Sequence, residues 1–270
     1  MKPTPIPVQA PAKDGIAQLP DTRLWYWDTG GPGVPIVLLH PATGSALIWG
    51  YQQPVFAKAG FRVIAYSRRG YYNSAPFDPK NPGIGSEDLR NLADTLGLGR
   101  FHIVASAAGG SIASDFAFSY QDRLLSLIIS SNSFGVRDGE IAKAAGFIRP
   151  KGWEQMPAEF RELGPSYRAA NPEGVNAWME LEHKALIGSE YRQTLKNDIT
   201  QARLKELKLP TLLISGAADM STPPSISRMI VADIPNSRMA PLPEAGHSTY
   251  WEQPELFNRA VLDFITDQSK

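Results

Sequence analysis

A turn of small residues, an acid and a histidine follow one another in an order that suits nucleophilic catalysis. The turn, ASAAGG at 105–110, joins an apolar run at 101–105 to a helical pattern at 109–120. Asp219 follows the apolar run LPTLLISG, and His247 follows the next apolar run. In Ser-His-Asp catalysis the acid orients the histidine through Nδ1, and the histidine takes a proton from the nucleophile.

Ala107 occupies the tip of the turn, where a nucleophile would stand. Such a turn needs small residues two positions before and after its tip, because side chains there would collide with the adjacent strand and helix. Ala105 and Gly109 satisfy this for position 107, whereas Val104 fits badly before Ser106. The frame G-x-S-x-G therefore has alanine in place of serine, and we expect a strained, positive φ at Ala107. Close packing alone is the alternative explanation of these small residues.

Composition excludes several classes of function. The chain has no cysteine, so disulfides, thiolate catalysis and cysteine-ligated metals are excluded. The four histidines lack H-E-x-x-H spacing, and we expect neither a metal nor a cofactor. Zero net charge argues against nucleic acid and membrane partners, and no apolar run reaches the roughly 18 residues that span a bilayer. We expect a cytoplasmic protein with a small-molecule substrate; the oligomeric state stays open.

Strand-like apolar runs alternate with helical patterns, which predicts an α/β fold whose mostly parallel sheet has helices on both faces. The predicted strands are two short ones within 16–31, then 34–40, 61–67, 101–105, 124–131, 209–216 and 237–243. The predicted helices are 47–60, 86–98 with Ser86 as N-cap, 109–120 and 254–268.

Residues 137–205 interrupt this alternation. They contain no good strand and carry aromatic residues at helical spacing, which predicts an inserted α-helical lid. The α/β core is then 15–136 together with 206–270. The proline-rich start predicts an extended N-terminal arm over 1–14.

The motifs LLHPATGS, RRGYYNS, GAADMSTP and AGHSTYWEQPELFN, together with the turn, resemble the α/β-hydrolase fold superfamily over about residues 15–268. The chain order nucleophile, acid, base in that superfamily matches Ala107, Asp219 and His247. The resemblance implies that His247 is the base and that Asp219 orients it.

The resemblance also implies an oxyanion hole, which needs two backbone N–H groups. One comes from the residue after the nucleophile, here Ala108. The other comes from the loop after the third strand, and because Pro41 has no N–H, Ala42 is the expected donor. His40 in the same loop is expected to be structural.

Aromatic residues predict a mostly apolar or aromatic substrate. Those expected to contact it are Trp49, Tyr72, Trp153, Trp178 and Trp251. The motif around the histidine resembles carbon–carbon hydrolases of ring-cleavage pathways and many esterases and lactonases. Because HPATGS lacks the Gly-Pro-Gly pattern of those carbon–carbon hydrolases, ester or lactone hydrolysis is favoured, with carbon–carbon cleavage as the alternative.

The sequence thus predicts a serine hydrolase, without activity as sequenced, in which Ala107 replaces the nucleophile. Retention of Asp219 and His247 supports this, because a chain drifting after loss of catalysis has no reason to keep them. One alternative is a non-catalytic small-molecule-binding pseudoenzyme. Another is a nucleophile-free lyase or oxygenase with His247 as general base.

Overall fold

A computed structural model describes residues 3–188 and 192–267, and a central sheet organises them. Its strands are β1 (Lys13–Gln18), β2 (Arg23–Asp28), β3 (Pro35–Leu39), β4 (Arg62–Tyr66), β5 (Phe101–Ser106), β6 (Leu124–Ser130), β7 (Thr211–Gly216) and β8 (Ser237–Leu242). Their spatial order is β1-β2-β4-β3-β5-β6-β7-β8. β2 pairs antiparallel with β1 and β4, and all later pairs are parallel, as the alternating pattern predicted.

Helices cover both faces of the sheet. They are α1 (Gln53–Lys58), α2 (Gly85–Thr95), α3 (Ala108–Tyr120), α4 (Gly139–Ile148), α5 (Ala158–Glu162), α6 (Pro165–Ala170), α7 (Pro172–His183), α8 (Pro224–Asp233), α9 (Thr249–Glu252) and α10 (Pro254–Asp267). None of them, within the described residues, is both long and apolar enough to cross a membrane.

The strands form because nearly continuous apolar runs can be buried on both faces of a parallel sheet. In β3, Val37 and Leu39 join one hydrophobic cluster, whereas Ile36 and Leu38 join the other. α2, α3 and α8 pack on the first cluster, and α1 and α10 pack on the second. The result is three layers, helix–sheet–helix, with the strands' carboxyl ends meeting at one edge.

One detail of the helix prediction is wrong. α2 begins at Gly85, and Ser86 lies inside its first turn without capping it. The Ser86 hydroxyl instead donates to Asp115 Oδ2 at 2.5 Å, across the contact between α2 and α3. A buried carboxylate on the neighbouring helix therefore takes the hydroxyl that local sequence reasoning assigned to the helix's own backbone.

The described part of segment 137–205, which leaves out 189–191, contains α4 to α7 and no strand of the sheet. Single β-bridges join it to the core, Tyr71 with Leu186 and Ile84 with Thr194. We call it the helical segment below, and its role as a lid stays a prediction.

The N-terminal residues extend along the region 46–58. Tyr51 donates its hydroxyl to the carbonyl of Thr4, and Ala10 exchanges two hydrogen bonds with the side chain of Gln53. β1 begins at Lys13, so the last two residues of the predicted arm belong to the sheet.

Gly109 allows α3 to start directly against β3, which yields the first prediction. A Cβ at position 109 would collide with the backbone carbonyls of Leu39 and His40. We expect Gly109→Ala to lower the free energy of unfolding, measured in urea, by about 1–3 kcal/mol. The matched control is Gly146→Ala in exposed α4, where nothing meets the new Cβ and stability should stay equal or rise by up to about 1 kcal/mol. Equal stabilities of the two variants would contradict this packing constraint.

Candidate active site

The turn between β5 and α3 has the geometry of a nucleophile elbow. Ala107 has φ 47° and ψ −119°, which confirms the expected positive φ. Its N–H donates to the carbonyl of Ser130 at 2.9 Å, and its carbonyl accepts a 2.8 Å hydrogen bond from Asn132 Nδ2. Backbone strain of this kind persists where the surrounding structure fixes it. Here the end of β6 supplies that constraint.

Asp219 and His247 form the expected pair. His247 Nδ1 lies 2.8 Å from Asp219 Oδ2, so the carboxylate accepts the Nδ1 proton. Three further donors hold the carboxylate: the N–H groups of Ser221 and Thr222, at 2.7 and 2.9 Å, and the Thr222 hydroxyl at 2.9 Å. Nε2 of His247, which has no hydrogen-bond partner among the described residues, is thereby left for a bound molecule.

Asp219 and His247 shift each other's pKa in opposite directions. Burial raises the pKa of Asp219, but the charge of His247 and the backbone N–H donors outweigh it and lower the pKa to about 2. Burial lowers the pKa of His247, but Asp219 and Glu162 outweigh it and raise the pKa to about 9. Each partner thus stabilises the charged form of the other.

Both predicted oxyanion-hole residues lie at the elbow. Ala42 and Ala108 line the same cavity as Ala107 and His247. Ala108 begins α3, so its N–H has no partner within the helix. The Ala108 N–H is therefore a suitable donor to a developing negative charge, and Ala42 stays the predicted second donor.

His40 anchors the loop that carries Ala42. Its Nδ1 lies 2.7 Å from the carbonyl of Pro41, and its Nε2 accepts the N–H of Arg68 at 3.1 Å. Burial holds the pKa of His40 well below its ordinary value, and the charge of Arg68 acts in the same direction. The His40 imidazole is therefore neutral and hydrogen-bonded at both ring nitrogens, which supports the structural role expected for it.

The cavity at the elbow has a volume of about 630 Å³ and is strongly charged. Residues of the helical segment form much of its wall. Its charged walls consist of five arginines and three glutamates, namely Arg68, Arg137, Arg149, Arg161, Arg192, Glu154, Glu162 and Glu182. The mostly apolar or aromatic substrate stays a prediction, and most of the aromatic residues on which it rested pack away from this charged cavity.

Only Trp153 of the five predicted aromatic contacts lines the cavity. Trp49 packs against Tyr250, and Trp178 is fully buried in the hydrophobic core. The remaining two also lie away from the cavity: Tyr72 packs edge-on against Trp25, and Trp251 packs against Tyr51. The prediction for these four is corrected, since a large apolar ring gains as much from core burial as from a substrate.

Sequence reasoning missed several groups at the site. The residues Ser221 and Thr222, two and three positions after Asp219, are a recognisable pattern for hydrogen bonds back to the carboxylate. Asn132, two residues after β6, braces the elbow through its hydrogen bond to the Ala107 carbonyl. No local signal identified Glu162, because its place beside His247 depends on how α5 packs.

Comparisons with known proteins agree with this architecture. A model of the alpha/beta hydrolase family matches residues 36–260. The 2-hydroxy-6-oxononadienedioate/2-hydroxy-6-oxononatrienedioate hydrolase of Burkholderia vietnamiensis is 28% identical, and the alignment covers 91% of each chain. The 2-hydroxy-6-oxo-6-phenylhexa-2,4-dienoate hydrolase of Comamonas testosteroni is 26% identical, over 90% of this chain and 91% of the relative.

A solved structure extends the agreement to the fold. A thermophilic esterase from Thermogutta terrifontis superposes with a TM-score of 0.77 at 24% identity, covering 96% of this chain and 100% of the esterase. With the family model matching most of its length, the chain belongs to the α/β hydrolase family.

Proposed function

We propose that this site is built for hydrolysis of a carbon–carbon bond beside a ketone in a small, carboxylate-bearing substrate. The observation that carries the proposal is the intact pair of Asp219 and His247 beside an elbow of nucleophile geometry. As sequenced, Ala107 supplies no nucleophile, so the chain binds the substrate without completing its hydrolysis.

The names of the curated relatives support the type of bond. A 2-hydroxy-6-oxo-dienoate has a ketone, an enol and a carboxylate, but no ester or amide. A hydrolase of such a compound must therefore break a carbon–carbon bond. This supports the carbon–carbon alternative over ester or lactone hydrolysis, the function favoured from the sequence.

The proposed steps follow from the geometry once a hydroxyl stands at position 107. His247 takes the hydroxyl proton while the oxygen attacks the ketone, and the N–H groups of Ala42 and Ala108 stabilise the resulting oxyanion. When the carbon–carbon bond breaks, its electron pair goes to the leaving carbon, which receives the proton from His247. Water then releases the acyl group from position 107 by the same route in reverse.

The charge of the cavity supports an anionic substrate. Five arginines and three glutamates line it, so positive charge is in excess. Arg161 Nε is buried and has no hydrogen-bond partner among the described residues, and the Arg161 guanidinium lies 3.5 Å from Glu154. A buried unpaired donor costs about 1–3 kcal/mol, and a substrate carboxylate would remove that cost.

The second prediction tests the nucleophile position. Ala107→Ser should hydrolyse 2-hydroxy-6-oxo-6-phenylhexa-2,4-dienoate on the order of 10⁶-fold faster than the chain as sequenced. The measurement is the loss of absorbance as the conjugated chromophore is cleaved. The rate should rise with pH as His247 loses its proton, near pH 9, because the base must be neutral to accept the hydroxyl proton.

The control is His247→Ala in the Ala107→Ser background, which should abolish hydrolysis. A small aryl ester serves as the second substrate. Hydrolysis of the ester but not of the dienoate would contradict carbon–carbon cleavage and support ester or lactone hydrolysis. A folded Ala107→Ser protein that binds the dienoate and hydrolyses neither compound would instead favour a binding protein or nucleophile-free chemistry.

The third prediction concerns the anion. The chain as sequenced should bind the dienoate without cleaving it, so its affinity can be measured by calorimetry. Arg161→Gln should weaken binding by about ten- to a hundredfold, because a hydrogen bond to a charged group contributes about 1.5–3 kcal/mol. Arg238→Gln, an exposed arginine outside the cavity, is the matched control and should leave the affinity unchanged. Equal losses for the dienoate and its methyl ester would contradict recognition of the carboxylate.

A further inference from the structure

Glu162 stands beside the histidine, although it belongs to the helical segment. It is the last residue of α5 and lines the same cavity as His247 and Ala107. Two contacts join it to Ser248, the neighbour of the histidine. The Ser248 N–H donates to the Glu162 carbonyl at 2.8 Å, and the Ser248 hydroxyl lies 3.3 Å from Glu162 Oε2.

We propose that Glu162 is a positioning residue that acts as a second carboxylate for His247, so that the helical segment contributes to the charge of the histidine. The inference deepens the proposed function, on which it rests only in taking His247 as the group that exchanges protons. It concerns the ligand-free chain and requires no turnover.

The two carboxylates act differently on the imidazole. Asp219 is bonded directly to Nδ1, and its negative charge is shared with three other donors. Glu162 has no direct bond to the ring and acts through space across a buried region, where charges interact more strongly than in water. Burial raises the pKa of Glu162 above its ordinary value, and the charge of His247 opposes that rise. Glu162 and the imidazolium therefore favour each other's charged form.

Other charged groups around the pair come from several elements. Arg149, after α4, lowers the pKa of His247, and Arg161 on α5 favours the charged form of Glu162. Glu252 on α9 is buried and accepts the N–H groups of Gly164 and Gly246. Among the described residues, Glu162 is thus a second carboxylate, besides Asp219, whose charge acts through space on His247.

In this chain, which has alanine at position 107, the protonated form of His247 is the one that can act on a bound molecule. Ala107 has no hydroxyl proton to give, so a neutral His247 would find no donor at the elbow. In its charged form Nε2–H can donate a proton to a bound molecule. In Ala107→Ser the same charge would delay hydrolysis until higher pH, because the histidine must first lose its proton.

The fourth prediction uses the titration of His247. NMR of the full chain, with isotope-labelled histidine, follows the four imidazoles, and His247→Gln identifies the resonance. Glu162→Gln should lower the pKa of His247 by about one pH unit, the effect of losing one nearby opposite charge. Asp219→Asn is the positive reference and should lower it further. Glu162→Asp, which keeps the charge, should restore part of the shift.

Glu182→Gln is the matched control, because Glu182 lines the same cavity and is not among the groups that shift the pKa of His247. It should leave the titration unchanged. Equal titration curves for Glu162→Gln and Glu182→Gln would overturn the inference. If Glu162→Gln does not fold, Glu162→Met, which removes the charge and keeps a similar volume, takes its place, and an unaltered pKa of His247 in that variant would overturn the inference. Failure of Ala107→Ser to hydrolyse any substrate would overturn the proposed function and leave this inference standing.

Discussion

The strained turn at Ala107 brings the first residue of α3 into the cavity that Ala42 and His247 also line. Its conformation costs about 1–3 kcal/mol and has to be maintained by neighbouring structure. Asn132 and the end of β6 hold the turn from one side, and the close contact of Gly109 with the end of β3 holds it from the other. None of these contacts involves the side chain at position 107. The turn therefore keeps its shape with alanine, and Ala108, the first residue of α3, still lines the cavity.

The pair of Asp219 and His247 favours chemistry over simple binding. Taking a carboxylate and an imidazole out of water carries a large desolvation cost, which here is offset by four hydrogen bonds to Asp219 and by the attraction between opposite charges. A pocket that only binds a ligand gains nothing from this arrangement. The retained pair therefore favours a chain whose histidine exchanges protons with a bound molecule, whether or not position 107 carries a nucleophile.

Sequence reasoning succeeded where a local pattern has one structural explanation. Small residues on both sides of position 107 are required only by a tight turn, and Asp219 follows a buried strand whose carboxyl end must lie at the sheet's active edge. It failed for Trp49 and Trp178, because hydrophobicity indicates burial without saying which surface covers the ring. The place of Glu162 in the site could not be predicted for another reason: its neighbour Ser248 lies more than eighty residues away in the sequence.

Two carboxylates, of Glu252 and Glu162, join the helical segment to the loop that carries His247, which we call the histidine loop. Glu252 accepts the N–H of Gly164, in the segment, and the N–H of Gly246, next to the histidine. Glu162 extends the same junction through Ser248. A displacement of the segment would therefore break hydrogen bonds to the histidine loop and remove a negative charge from the imidazole at the same time. On the proposal made for Glu162, the same packing that joins the segment to the histidine loop also places a negative charge near the imidazole.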